Sequence, residues 1–93
     1  MARPNNSAAI VNILYFAWVR EKVGAAEETV SPPSTVSTLE QLIDWLAQRS
    51  PRHAAAFADR KLIRAAIDQV HCQVTASVTG AKEVAFFPPV TGG

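Results

Sequence analysis

Ser37-Thr38-Leu39-Glu40-Gln41-Leu42-Ile43-Asp44-Trp45-Leu46 is the stretch from which the fold can be built. Ser37 followed three residues later by Glu40 has the form of a capping box, in which each residue satisfies a free backbone N–H at a helix start. Leu39, Leu42, Ile43 and Leu46 recur at helical spacing and make one apolar face, with Trp45 flanking it. The helix is predicted to stop near Ser50, because the residue before Pro51 resists the helical region.

The segments on either side read as strands. Upstream, Val11–Trp18 is rich in β-branched and aromatic residues, which suit a pleated surface. Lys22–Ala26, around Gly24, is predicted to turn, with Arg20, Glu21 and Lys22 solvated there. Glu27–Ser31 is a second strand and hairpin partner of the first, ended by Pro32 and Pro33, which cannot donate to a ladder. Downstream, His53–Ala58 has the alanine content of a short helical turn but little periodicity. Asp59–Lys61 is a polar turn. Ile63, Ala65 and Ile67 alternate with Arg64, Ala66 and Asp68, and Val70, Cys72 and Val74 alternate with His71, Gln73 and Thr75, as in strands with one buried face. Ser77–Ala81 turns at Gly80, and Glu83–Phe87 is a last strand, stopped by Pro88 and Pro89. The result is an α+β domain, one principal helix packed on one face of a mixed sheet, with the first and last strands as natural parallel neighbours.

Composition limits what such a domain can do. The chain has 93 residues, 48% of them hydrophobic, with a net charge of +1 and one cysteine. That is one domain with enough apolar material for a core. A single cysteine excludes a disulfide scaffold and a thiolate zinc site. A charge near zero lacks the basic footprint of a non-specific nucleic-acid binder. The apolar run Ala8–Val19 is shorter than the roughly 20 residues a membrane span needs. Arg20, Glu21 and Lys22 follow it where a signal peptide would place small residues, so a cytoplasmic location is expected. Residues 1–9, with Pro4 and two asparagines, read as a disordered lead-in. Residues 10–87 carry the fold and 88–93 form a flexible tail.

One helix covers one face of a sheet. Phe86 and Phe87 are adjacent in a strand and point to opposite faces. Phe86 shares parity with Val84 and is assigned to the core; Phe87 shares parity with Glu83 and Ala85 and is assigned to the open face. In the first strand, Phe16 shares parity with Asn12 and Leu14 and joins Phe87, while Val11, Ile13 and Tyr15 point inward. Exposed apolar patches on small domains mark partner surfaces, unless the second helical turn or the lead-in covers this one.

Chemistry within the domain is sparse. There is no glycine-rich phosphate loop, serine elbow or histidine pair at ligand spacing, and no metal site is expected. His53 and His71 are read as surface or sheet histidines, and Cys72 as a core-facing, inert thiol. Glu27 and Glu28 fall on opposite strand faces, a poor arrangement for a carboxylate pair. What remains is Pro88-Pro89-Val90-Thr91-Gly92-Gly93. Two prolines hold the exit extended, and Gly92 and Gly93 let a partner's backbone approach closely. Such an end can be threaded into a narrow site. Composition alone is also met by a frayed tail.

Glu83-Val84-Ala85-Phe86-Phe87-Pro88-Pro89-Val90-Thr91-Gly92-Gly93, with Leu14-Tyr15-Phe16-Ala17-Trp18-Val19-Arg20-Glu21 and Gly24, resembles the small subunits of molybdopterin synthase, ubiquitin-like β-grasp sulfur carriers. The resemblance spans Val11 to Gly93. It implies that Gly93 is adenylated with ATP by an E1-like enzyme and converted to a thiocarboxylate. The tail, including Gly92, then enters the large synthase subunit and gives its sulfur to cyclic pyranopterin monophosphate, within a heterotetramer of two carriers on a large-subunit dimer. It implies partner contacts for Phe16, Arg20, Phe87, Pro88, Pro89, Val90 and Thr91, no cofactor bound by the chain, and no catalytic site of its own. Thiamine sulfur carriers and ubiquitin-like modifiers share a Gly-Gly terminus and stand as the alternatives. Three positions depart from the pattern: Gly80-Ala81-Lys82-Glu83 replaces an acidic turn, His71 replaces an apolar open-face residue, and Asp68 replaces an asparagine. They bear on partner affinity rather than on the tail chemistry.

Overall fold

A computed structural model describes residues 10–89. The lead-in 1–9 and the tail residues Val90, Thr91, Gly92 and Gly93 lie outside the described residues. The order of elements is β1 (Val11–Tyr15), α1 (Ala17–Val23), β2 (Glu27–Val30), α2 (Leu39–Ala47), α3 (Pro51–Ala56), a 3-10 turn (Arg60–Leu62), β3 (Arg64–Ile67), β4 (Val70–Cys72) and β5 (Glu83–Phe87). The strands form one mixed sheet in the order β2-β1-β5-β3-β4. β1 and β5 are parallel, and the remaining pairs are antiparallel. This is the α+β, β-grasp architecture, with α2 the longest helix.

The helical stripe packs as its spacing predicts. Leu39, Leu42, Ile43 and Leu46 are buried against Val11, Ile13 and Tyr15 of β1 and Val84 and Phe86 of β5 in one core. Tyr15 stacks on Phe86, with ring centroids 6.2 Å apart, and Phe57 meets Phe86 edge-on at 5.0 Å. The cap sits one residue later than the sequence suggests. Thr38 is the N-cap, its side chain accepting from the Gln41 N–H while the Gln41 amide reaches back to the Thr38 N–H.

Two segments differ from the expectation. Val11–Trp18 is not one strand. β1 ends at Tyr15, Ala17 takes φ 56°, and the chain enters α1, so Arg20, Glu21 and Lys22 are helical rather than in a turn. α1 has no polar cap, and Val19 and Val23 anchor it in the core. Gly24 ends it at φ 89°, its N–H donating to the Arg20 carbonyl, a left-handed conformation that favours glycine. The weak helical turn after Pro51 is a formed helix, α3, with Ser50 as N-cap and proline in its first turn.

β4 is the other difference. Val70 is 67% exposed on this three-residue edge strand, and Val74, past its end, is 41% exposed with its carbonyl accepting from the Glu40 N–H at the start of α2. Cys72 is half-buried against the core.

Candidate docking face

All three helices contribute to the core on one side of the sheet. The strand register assigns the other side. Asn12 pairs with Glu83 and Leu14 with Ala85; Ala85 also pairs with Ala66, Phe87 with Arg64, and Ala66 with His71. Directly paired residues share a face. The uncovered face therefore carries Asn12, Leu14, Glu83, Ala85, Phe87, Arg64, Ala66 and His71, with Thr29 and Glu27 of β2 at its edge, and no described element lies across it.

Phe16 is the first residue past β1, 47% exposed, with its N–H donating to the Phe86 carbonyl at 3.0 Å. It thus lies beside the Phe86–Phe87 end of β5 although it is a helix cap rather than a strand residue. Phe87 is half-buried and Phe86 fully buried, as parity predicts. Arg20 is exposed on α1, one turn from Phe16. Pro88 and Pro89 are half-buried and leave the sheet directly from Phe87. Phe16, Arg20, Phe87, Pro88 and Pro89 thus belong to elements that meet at or near the C-terminal end of β5.

His71 is exposed, and its ring lies 5.2 Å from that of Phe87, tilted by 39°. Ala66 and Ala85 are only 7% and 8% exposed although they lie on the face that carries no helix. In the register His71 is paired with Ala66, and Phe87 follows Ala85 by two residues on the same face.

The departures at Asp68 and at the 80–83 turn turn out to be linked. Asp68 sits at φ 48°, and its Oδ1 accepts from the backbone N–H groups of Lys82 and Glu83, each at 3.0 Å. A carboxylate after β3 thus holds the start of β5.

Sequence reasoning missed one polar cluster. His53 is buried on α3 rather than at the surface. Its Nε2 is hydrogen-bonded to Glu28 Oε2 and its Nδ1 to Ser50 Oγ at 2.7 Å. Glu28 Oε2 also accepts from the Tyr15 hydroxyl, and Arg49 lies 3.6 Å from Oε1. Burial opposes ionisation of Glu28. The hydrogen bonds from His53 and Tyr15, together with the charges of His53 and Arg49, outweigh it and hold the carboxyl below the usual carboxylate range. Burial, reinforced by Glu28, pushes the Tyr15 phenol far above its ordinary range, so it stays a donor. The cluster ties β1, β2 and α3 together on the helix side, away from the open face. Burial likewise raises the Cys72 thiol, which keeps it protonated and weakly nucleophilic. Among the described residues, no group of three or more His, Cys, Asp or Glu side chains could hold a metal ion. Among the same residues, no helix is long and apolar enough to cross a membrane.

A family model, the ThiS family, matches residues 13–93. The chain belongs to the ThiS family. Among relatives of this ThiS-family chain, the molybdopterin synthase sulfur carrier subunit of Escherichia coli K12 is 42% identical over 84 residues, covering 90% of this chain and all of the relative. The protein of the same name from Haemophilus influenzae is 36% identical over 84 residues, again 90% of this chain and all of the relative. One from Mycosarcoma maydis is 34% identical, covering 96% of this chain and 99% of its own. The family reached from the Phe86–Gly93 ending is therefore the family found. Among solved structures, SAMP1 of Haloferax volcanii superposes with a TM-score of 0.68 at 21% identity, covering 91% of this chain and all of the other. That of Methanosarcina acetivorans gives 0.56 at 19% identity, with 95% and 100% covered. At those identities the likeness establishes the ThiS-family chain's fold alone.

Proposed function

We propose that this chain is the sulfur carrier subunit of a molybdopterin synthase. The observation that carries the reading is the match to relatives of that name along their whole length, at up to 42% identity. An open sheet face that carries Phe87 on β5, the strand that leads into the tail, supports it.

The chemistry is that of a terminal carboxylate. The Gly93 carboxylate is ionised at neutral pH and inert to acyl transfer. An E1-like enzyme supplies ATP. A carboxylate oxygen attacks the α-phosphorus, pyrophosphate leaves, and an acyl adenylate forms. Hydrosulfide delivered by a sulfur donor attacks the carbonyl carbon and expels AMP, leaving a thiocarboxylate. In the large subunit that sulfur bonds to a carbon of cyclic pyranopterin monophosphate as a carbon–oxygen bond at that carbon breaks and its oxygen departs with the electron pair. Water then cleaves the acyl–sulfur bond, and Gly93 returns as a carboxylate. The carrier contributes no acid, base or metal. Gly92 and the Pro88-Pro89-Val90-Thr91 stem thread the reacting carbonyl into the partner, while Phe16, Arg20 and Phe87 dock the domain. Two carriers on a large-subunit dimer, working in the cytoplasm, complete the synthase, and the chain binds no cofactor itself.

Complementation tests the reading. The gene is expected to restore molybdenum-cofactor-dependent growth to a strain lacking its own carrier and not to rescue a thiamine auxotroph. Rescue of the thiamine strain alone contradicts the proposal. So do isopeptide adducts on many unrelated lysines without sulfur incorporation, the outcome for a modifier.

A further inference from the structure

The open face is not uniformly apolar. Its β3–β4 end carries two basic side chains around Phe87. Arg64 is directly opposite Phe87 in the register, and its Nη1 donates to the Lys61 and Ile63 carbonyls at 2.9 and 3.2 Å. His71, one strand further out on β4, has its ring 5.2 Å from that of Phe87. Arg49, His53 and Arg60 each have a carboxylate of this chain within ion-pair distance. Among the described residues, Arg64 and His71 have none, and neither do Arg20, Lys22, Arg52, Lys61 and Lys82; what sets Arg64 and His71 apart is their place on the open face beside Phe87. The charged groups that share the face with His71 are Arg64 on β3, Asp68 just beyond it, Glu83 on β5 and, at the far edge, Glu27 on β2; β4 itself adds none. Asp68 Oδ1 is already engaged by the Lys82 and Glu83 amides. The same face runs into the tail through Phe87-Pro88-Pro89, so a protein that receives the tail also lies against it.

We infer that Arg64 and His71 form a cationic margin that recognises a carboxylate on the large synthase subunit, beside the seat of Phe87, and so help select this carrier's partner. The inference rests on the function proposed above. Phe87 and its neighbours supply apolar area, while the margin supplies register and discrimination, since a basic partner surface would be repelled there.

Calorimetric titration of the full chain into the large subunit tests this, at several values between about pH 8 and pH 5.5, the range over which histidine changes charge. Binding by the unsubstituted chain is expected to tighten roughly three- to fivefold toward the acid end, the scale of a partly exposed ion pair. H71L and H71Q should both remain folded and lose that pH dependence relative to the unsubstituted chain. R64L should weaken binding at every pH and flatten its salt dependence. Identical pH profiles for the unsubstituted chain and both His71 variants overturn the inference while leaving the proposed function intact. No complex at any pH overturns the proposed function, and the inference with it.

Discussion

The Tyr15 hydroxyl donates to Glu28 Oε2 at 2.6 Å, joining the buried end of β1 to the edge strand β2. The same oxygen meets His53, so one carboxylate satisfies a buried phenol and a buried imidazole from two other elements. Replacing Glu28 with alanine leaves the phenol without a partner and the imidazole with Ser50 alone. The expected loss is about 2–3 kcal/mol, read from urea unfolding, against about 1 kcal/mol for Tyr15→Phe, which removes donor and demand together.

Acid should erase part of that difference. The Glu28 carboxyl is held low in the folded chain, so it adds stability above its unfolded value of about 4.3 and loses it as pH falls through the folded value. The stability gap between the unsubstituted chain and Glu28→Gln should be widest near neutrality. It should narrow below about pH 4. A gap that is flat with pH would show that the Glu28 charge does not contribute.

Gly24 and Arg52 form a second joint. Arg52 of α3 donates from Nε to the Val23 carbonyl and from Nη2 to that of Glu21, covering free carbonyls at the end of α1. A Cβ on Gly24 would stand 2.7 Å from Arg52 Nε. Gly24→Ala is expected to cost about 2 kcal/mol, from left-handed strain and displacement of Arg52. In an Arg52→Ala background the cost should fall to about 1 kcal/mol, the strain alone. Thermal or urea unfolding of the double-mutant cycle measures the coupling.

Much of this was legible in local spacing, and the rest was not for identifiable reasons. The stripe of Leu39, Leu42, Ile43 and Leu46 and the alternation of Glu83–Phe87 encode their own burial, so the main helix, the last strand and the outward turn of Phe87 could be read directly. α1 could not be. Tyr15-Phe16-Ala17-Trp18-Val19 has strand composition, Phe16 provides no side-chain cap, and the break occurs at a positive φ on Ala17, which nothing in the residue type announces. α3 did have a signal, Ser50 before Pro51, which marks a helix start as well as the end of the one before. Glu28 and His53 are 25 residues apart, so only the tertiary fold could bring them together.

Asp68 tests the link between the end of β3 and the start of β5. Asp68→Ala removes the acceptor for two amides and a residue type that tolerates positive φ. It should cost about 2 kcal/mol. Asp68→Asn keeps an acceptor oxygen and the conformational tolerance, and should cost less than about 1 kcal/mol. Equal costs would mean the charge matters more than the geometry.

Phe86 on β5 and Phe16 beside it should separate stability from docking. Phe86→Ala opens the core and should cost about 3–5 kcal/mol. Phe16→Ala, at a site 47% exposed, should leave the unfolding midpoint nearly unchanged. It should weaken binding to the large subunit roughly tenfold or more. A Phe16 variant with full affinity would remove it from the docking face.

The central claim is that sulfur rides on the terminal carbonyl of Gly93 rather than on Cys72. The most direct measurement is the intact mass of the chain after incubation with its E1-like enzyme, ATP and a sulfur source. The account predicts that one oxygen is exchanged for sulfur at Gly93, that a Cys72→Ser chain gains it equally, and that removal of Gly93 abolishes it without altering the fold. An unchanged mass with an activating enzyme of proven competence, or a sulfur located on Cys72, would contradict it.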